Sequence, residues 1–290
     1  MPLIRRYPLV AFFVLSYALS WILESPLVLV GDTLTDTQGL VLTILASNVP
    51  SLLAITLTAI VYGRGALRKL LRRLLTWRVE PRWYLVVVLG PVALAGGMVT
   101  LHTFVGGSAL SFDVPLLIPA LITLGFSIFP GSALGEEIGW RGYALPRLQA
   151  GRSALSASLI LAPIWALWHL PLFLAGWLHG VPGRTPILYA AFVVSGFAMS
   201  VILTWVYNST GGSLLLVVLL HATVNLPISL STDLLGSRAT LPILLYFGLL
   251  VVAAIVVVIV AGPEHLSRKH QKQEEEEEEP WVARQPERVR

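Results

Sequence analysis

Residues 116–130, LLIPALITLGFSIFP, form an apolar run, and residues 131–145, GSALGEEIGWRGYAL, follow it with two adjacent carboxylates and an arginine. A charge at membrane depth is expensive unless it is paired or takes part in chemistry. Glu136 and Glu137 therefore raise two questions at once: what solvent the fold lives in, and where its chemistry lies. The rest of the chain answers the first. Of its 290 residues, 56% are hydrophobic and 12% charged, against roughly 25% charged in a soluble domain. Mean hydropathy is +0.77. Apolar stretches recur at about the twenty-residue length that crosses ~30 Å of hydrocarbon. These features define an all-α, polytopic transmembrane helical bundle.

Eight apolar segments are expected, at about 8–30, 38–62, 82–103, 114–135, 154–178, 186–207, 213–232 and 240–261. The first follows Arg5 and Arg6, but further spans rather than a soluble domain come after it, so it reads as a span and not as a cleaved leader. Basic residues set the orientation. Eighteen of the 20 Lys and Arg residues fall before span one, between spans two and three, between spans four and five, or in the tail; Arg184 and Arg238 are the exceptions. Positive charge stays in the cytoplasm, so both termini are expected there, in a multi-pass protein of the cell membrane.

One polar segment interrupts the transmembrane domain of residues 1–262 and another follows it. Residues 64–78, RGALRKLLRRLLTWR, carry leucines at helical spacing among basic residues. They suit either an amphipathic helix on the anionic membrane surface or a solvated loop that enforces orientation. Residues 263–290 include six consecutive glutamates, 274–279, and are expected to be a disordered cytoplasmic tail. With no cysteine there is neither a disulfide nor a thiol nucleophile. No nucleic-acid motif is present, and membrane-flanking charge accounts for the basic pI.

Polar groups inside the spans carry the chemistry. Helical spacing puts Glu137 and Arg141 on one face as an ion pair. Glu136, rotated by about 100°, is left without that partner. The same spacing pairs Trp165 with His169 in span five, and His221 with Asn225 in span seven. Depth is a check on convergence: at 1.5 Å per residue, His221 lies ~14 Å in from Gly212 and His169 ~25 Å in from Arg152. The two meet only if span five starts later or tilts. Glu24 and Asn48 read as structural polar contacts, and Asp32, Asp36, Asp113 and Asp233 as residues of the outside loops.

Taken together, Glu136-Glu137-x-x-x-Arg141, then Trp165-x-x-x-His169, then His221-x-x-x-Asn225 resemble, in order, the motifs of the CPBP family. These are intramembrane proteases that include the Rce1-type CAAX prenyl endopeptidases and bacterial Abi proteins. The second motif usually opens with Phe; here it opens with Trp. Asn208-Ser-Thr-Gly-Gly-Ser213 also resembles the family's approach to the third motif, and the likeness covers about residues 115–230. The resemblance implies a glutamate-dependent endopeptidase acting near the cytoplasmic face, with Glu136 and His169 activating water, and with His221 and Asn225 stabilising the oxyanion. Glu137, Arg141 and Trp165 would support them. Its substrate would be a membrane-bound or lipid-modified protein or peptide, with no cofactor and no metal.

Three other readings compete. One or two carboxylates with two histidines could form a His₂Glu zinc set, but there is no H-E-x-x-H and the histidines sit on separate helices. A proton-coupled transporter would use the same groups, yet no inverted repeat is visible. A non-proteolytic immunity or partner protein could retain the fold.

Overall fold

A computed structural model describes residues 2–107, 117–176, 185–235 and 239–267. The described residues are helical and contain no strand. After a turn of helix at Pro2–Arg6 come α1 (Pro8–Leu29), α2 (Asp36–Leu57), α3 (Gly63–Arg72), α4 (Pro81–Phe104), α5 (Leu117–Ile128) and α6 (Ser132–Gly139). They are followed by α7 (Leu145–Gln149), α8 (Ala154–Trp168), α9 (Leu170–Leu174), α10 (Thr185–Ser209), α11 (Leu214–Leu235) and α12 (Thr240–Ala261). Seven apolar stretches are long enough to cross a membrane, and α8 is a shorter apolar helix, matching the eight expected segments. Val14, Ile22, Val92, Ile122, Ile255 and Ile259 stand exposed on the outside of the bundle, where only lipid suits them.

Span four is not one continuous helix. Pro130 and Gly131 end α5, α6 restarts at Ser132, and a turn of π-helix at Trp140–Ala144 leads into α7. Such π turns are frequent at functional sites. The break is held from α2: Asn48 Nδ2 donates to Pro130 O at 2.9 Å, and Ser51 Oγ to Leu134 O at 2.8 Å. Asn48 is thus the structural contact its position implied.

The spacing Gly135-x-x-x-Gly139 lets α6 lie directly on α2. A Cβ at Gly135 would come 2.7 Å from Ser47 O, and one at Gly139 would come 2.8 Å from Pro50 O. Small residues let membrane helices approach this closely. The three-residue interval between these glycines is the sequence signal for this contact.

The loops between spans two and three, four and five, and six and seven meet the start of the tail at one end of the bundle. Ser213 Oγ donates to Thr76 O at 2.7 Å, Gln149 Nε2 to Asn208 Oδ1 at 3.4 Å, and Asn208 Nδ2 to His265 O at 2.7 Å. Arg73 also hydrogen-bonds Tyr207. This is the sidedness that the charge distribution predicts.

The tail corrects one expectation. Pro263 and Glu264 accept backbone hydrogen bonds from Leu155 and Ala154 at 3.0 and 2.7 Å, and Leu266 is buried. Residues 263–267 therefore cap the start of α8 instead of forming loose tail; the glutamate run lies outside the described residues. Residues 63–75 are helical and fold onto the bundle through Ala66 and Leu70, leaving Arg64, Arg68, Lys69 and Arg72 exposed. Asp36 and Asp233, read as loop residues, fall in the end turns of α2 and α11, while Asp113 lies outside the described residues.

Gly139→Val should push α6 off Pro50 and destabilise the bundle by about 1–3 kcal/mol, the usual cost of overpacking. Thermal unfolding of the full chain in detergent measures it; an unchanged melting temperature would mean that the α2–α6 contact is loose.

Candidate active site

Four helical segments converge on the glutamate pair. Arg141 lies on the π turn, so its guanidinium reaches back one turn: NH1 donates to Glu137 Oε1 at 2.9 Å, with both side chains buried. From α11, His221 Nδ1 lies 2.6 Å from the same oxygen. A carboxylate only accepts, so His221 donates from Nδ1. Glu137 is thus a buried junction between α6, the π turn and α11.

Glu136 faces the other way, as the 100° rotation requires. Its Oε2 accepts from Trp165 Nε1–H of α8 at 2.6 Å, and its Oε1 lies 4.0 Å from His169 Nε2. It is 1% exposed. His169 caps the C-terminus of α8, and its Nδ1 is 2.9 Å from Trp165 O. A carbonyl oxygen also only accepts, so Nδ1 carries the proton and the neutral ring presents the Nε2 lone pair to Glu136. Trp165, Trp168 and Phe192 pack edge-on around the imidazole at 4.4, 4.7 and 5.1 Å between ring centroids.

The depth problem has a structural answer. Ser213 and Leu214, at the start of α11, have no solvent exposure, and Ser213 is covered by Thr76. Helix α11 therefore starts recessed inside the bundle, which brings His221 level with groups much farther along α8. Asn225, one turn beyond His221, is half-buried and makes no hydrogen bond among the described residues.

Two links were not legible in the chain. The spacing paired Trp165 with His169 and His221 with Asn225. It gave no hint that the indole would bind Glu136, or that His221 would bind Glu137. Both are contacts between helices distant in sequence.

The donor set for a metal can be tested directly. Ligand atoms of Glu136, Glu137 and His221 lie within 4.8 Å of one another. Yet Glu137 Oε1 already serves the Arg141 guanidinium and His221 Nδ1–H. A cation there would meet a fixed positive charge, and His169 is not in the group. Glu137 Oε2 is left buried without a partner, so the set offers donor atoms, but the fixed charge of Arg141 beside them disfavours a zinc site of three protein ligands.

Fold and site together define a helical membrane protein with a buried Glu–Trp–His constellation beside a Glu–Arg–His junction. Residues 117–227 match the model of the family described as Type II CAAX prenyl endopeptidase Rce1-like. A relative, "CAAX prenyl protease 2" of Methanococcus maripaludis, is 31% identical over 134 residues, which are 45% of this chain and 46% of that protein. The chain thus spans about half the length of the curated relative it matches. This segment, which holds every residue of the site, is similar to the Rce1-like family.

Arg141→Met would leave a buried carboxylate without its cation. It should destabilise the protein by about 3–5 kcal/mol, as breaking one side of a buried pair does. Melting in detergent tests this, and a wild-type melting temperature would show that the pair holds nothing together.

Proposed function

We propose that this chain is an intramembrane endopeptidase that hydrolyses a peptide bond of a membrane-bound or lipid-modified protein, with its site reached from the cytoplasmic side. The observation that carries this reading is the free face of Glu136, which has no cation of its own and stands 4.0 Å from the His169 Nε2 lone pair. Two hydrogen bonds of about 2.8 Å meeting at one water span roughly 4–5 Å. A single water donating one hydrogen to each group would present its oxygen lone pair to a substrate carbonyl.

The chemistry then follows. Glu136 takes a proton from this water as its oxygen bonds to the carbonyl carbon, acting as general base. The negative charge passes to the carbonyl oxygen, where His221 and Asn225 of α11 would donate to it. With Nδ1–H committed to Glu137, His221 donates from Nε2 as the imidazolium, and the two adjacent glutamates together offset its charge and that of Arg141. Glu136 then returns the proton to the leaving nitrogen as the C–N bond breaks. Trp165 holds the carboxylate in its working rotamer, Glu137 and Arg141 fix the helix end, and no step needs a metal.

The relative's name concerns prenylated CAAX proteins; for this chain the substrate class is the wider one given above. The test compares new protein N-termini in membranes of cells making wild type or Glu136→Gln at matched levels. Fragments present with wild type and absent with the variant are expected, and should persist when a chelator is added. Identical N-termini would sink the peptidase reading. Among the cleaved proteins, Trp165→Phe should slow turnover by about tenfold or more, the worth of a hydrogen bond to a charged group, while leaving the protein folded. A wild-type rate would show that the indole does not position Glu136.

A further inference from the structure

Glu24 of α1 is a carboxylate that the mechanism above does not use. It is 1% exposed, and its Oε2 is buried with no hydrogen-bond partner. Among the described residues it makes no hydrogen bond or ion pair at all, so it is not the polar contact its sequence position suggested. Buried polar groups are almost always hydrogen-bonded; on the same helix Ser16 Oγ is also without a partner, while three other neighbours are bonded. Tyr17 donates to Ile164 O, Ser20 Oγ to Ala46 O at 2.9 Å, and Trp21 Nε1–H to Trp168 O at 3.0 Å.

Those contacts also locate Glu24. From Tyr17 to Trp21 and from Ile164 to Trp168 are both steps of four residues, so α1 and α8 run side by side in parallel and in register. Glu24 continues the same face three residues past Trp21, beside the segment that carries His169. It lies within electrostatic reach of Glu136. An orphaned acceptor thus lies on the α1 face that packs along α8, within electrostatic reach of the general base and on the side of the site away from the recessed start of α11.

A polypeptide cut at membrane depth must be extended around the scissile bond, because helical backbone does not offer its carbonyl to a nucleophile. Its N–H groups then lose their helical acceptors where lipid offers none. From this geometry we infer that Glu24 is a substrate-binding carboxylate of the Glu136 site, accepting hydrogen bonds from backbone N–H groups of the extended polypeptide beside the bond that is cut. The inference rests on the peptidase reading and adds the residue that holds the substrate.

The test uses a synthetic segment spanning a cut found in the N-terminus comparison. Glu24→Leu removes both acceptor oxygens and should raise KM about tenfold or more, the worth of hydrogen bonds to a charged group, with kcat little changed. Glu24→Gln keeps one acceptor and should fall between. Because the chain has no cysteine, Glu24→Cys in the Glu136→Gln background gives a second readout that does not need turnover or a folded Glu24→Leu variant. A small thiol reagent should label it, and the same segment should slow the labelling, whereas Ser20→Cys should be insensitive to the segment. A wild-type KM in Glu24→Leu, or labelling of Glu24→Cys that ignores the segment, overturns the inference while leaving the peptidase reading in place. A wild type that cuts no segment overturns both.

Discussion

The buried pair of Glu137 and Arg141, closed by His221, is the constraint on which the site depends. One carboxylate oxygen receives two N–H donors, from a π turn and from another span. In a low-dielectric interior such an arrangement is costly to assemble and more costly to break. It fixes the register of α6 against α11, and that register decides which way the preceding residue in the chain must point. On the proposed reading, Glu136 is free for chemistry because Glu137 is held.

The packing around the pair serves the same end. Gly135 and Gly139 bring the backbone of α6 against α2, where Asn48 and Ser51 tie down the break that begins it. On the opposite side α8 presents Trp165 to one oxygen of Glu136 and His169 to the other, inside an aromatic shell. Helix α11 starts deep under the basic segment so that His221 arrives at this level. Each of these devices spends a rule of membrane-helix design, a broken helix or a buried charge, in the one place where a reaction would need it.

The class of fold was legible because solvent leaves its mark on every residue: apolar length gave the spans, and basic residues gave a sidedness that the clustered loops match. Local spacing also gave the Glu137–Arg141 pair and the opposite heading of Glu136, since both follow from helical rotation alone. What spacing could not give was contact between helices far apart in the chain. The bond from Trp165 to Glu136, the bond from His221 to Glu137 and the recessed start of α11 arise from packing. The fold of residues 263–267 was hidden for a different reason: their composition resembles the charged tail they introduce, while two backbone carbonyls and Leu266 tie them to α8. Glu24 looked like a structural polar group because most buried polar groups are; what sets it apart is a carboxylate with no hydrogen bond or ion pair among the described residues.

The division of labour between the two glutamates is tested most directly by melting Glu136→Gln and Glu137→Gln side by side in detergent. Glu136→Gln keeps an acceptor for the Trp165 indole and leaves the Glu137–Arg141–His221 junction intact, so it should melt near the wild-type temperature. Glu137→Gln strips Arg141 and His221 of their shared anion and should melt well below it. A Glu137→Gln protein as stable as wild type, or a Glu136→Gln protein that collapses, would mean that the two carboxylates do not divide structure and chemistry between them.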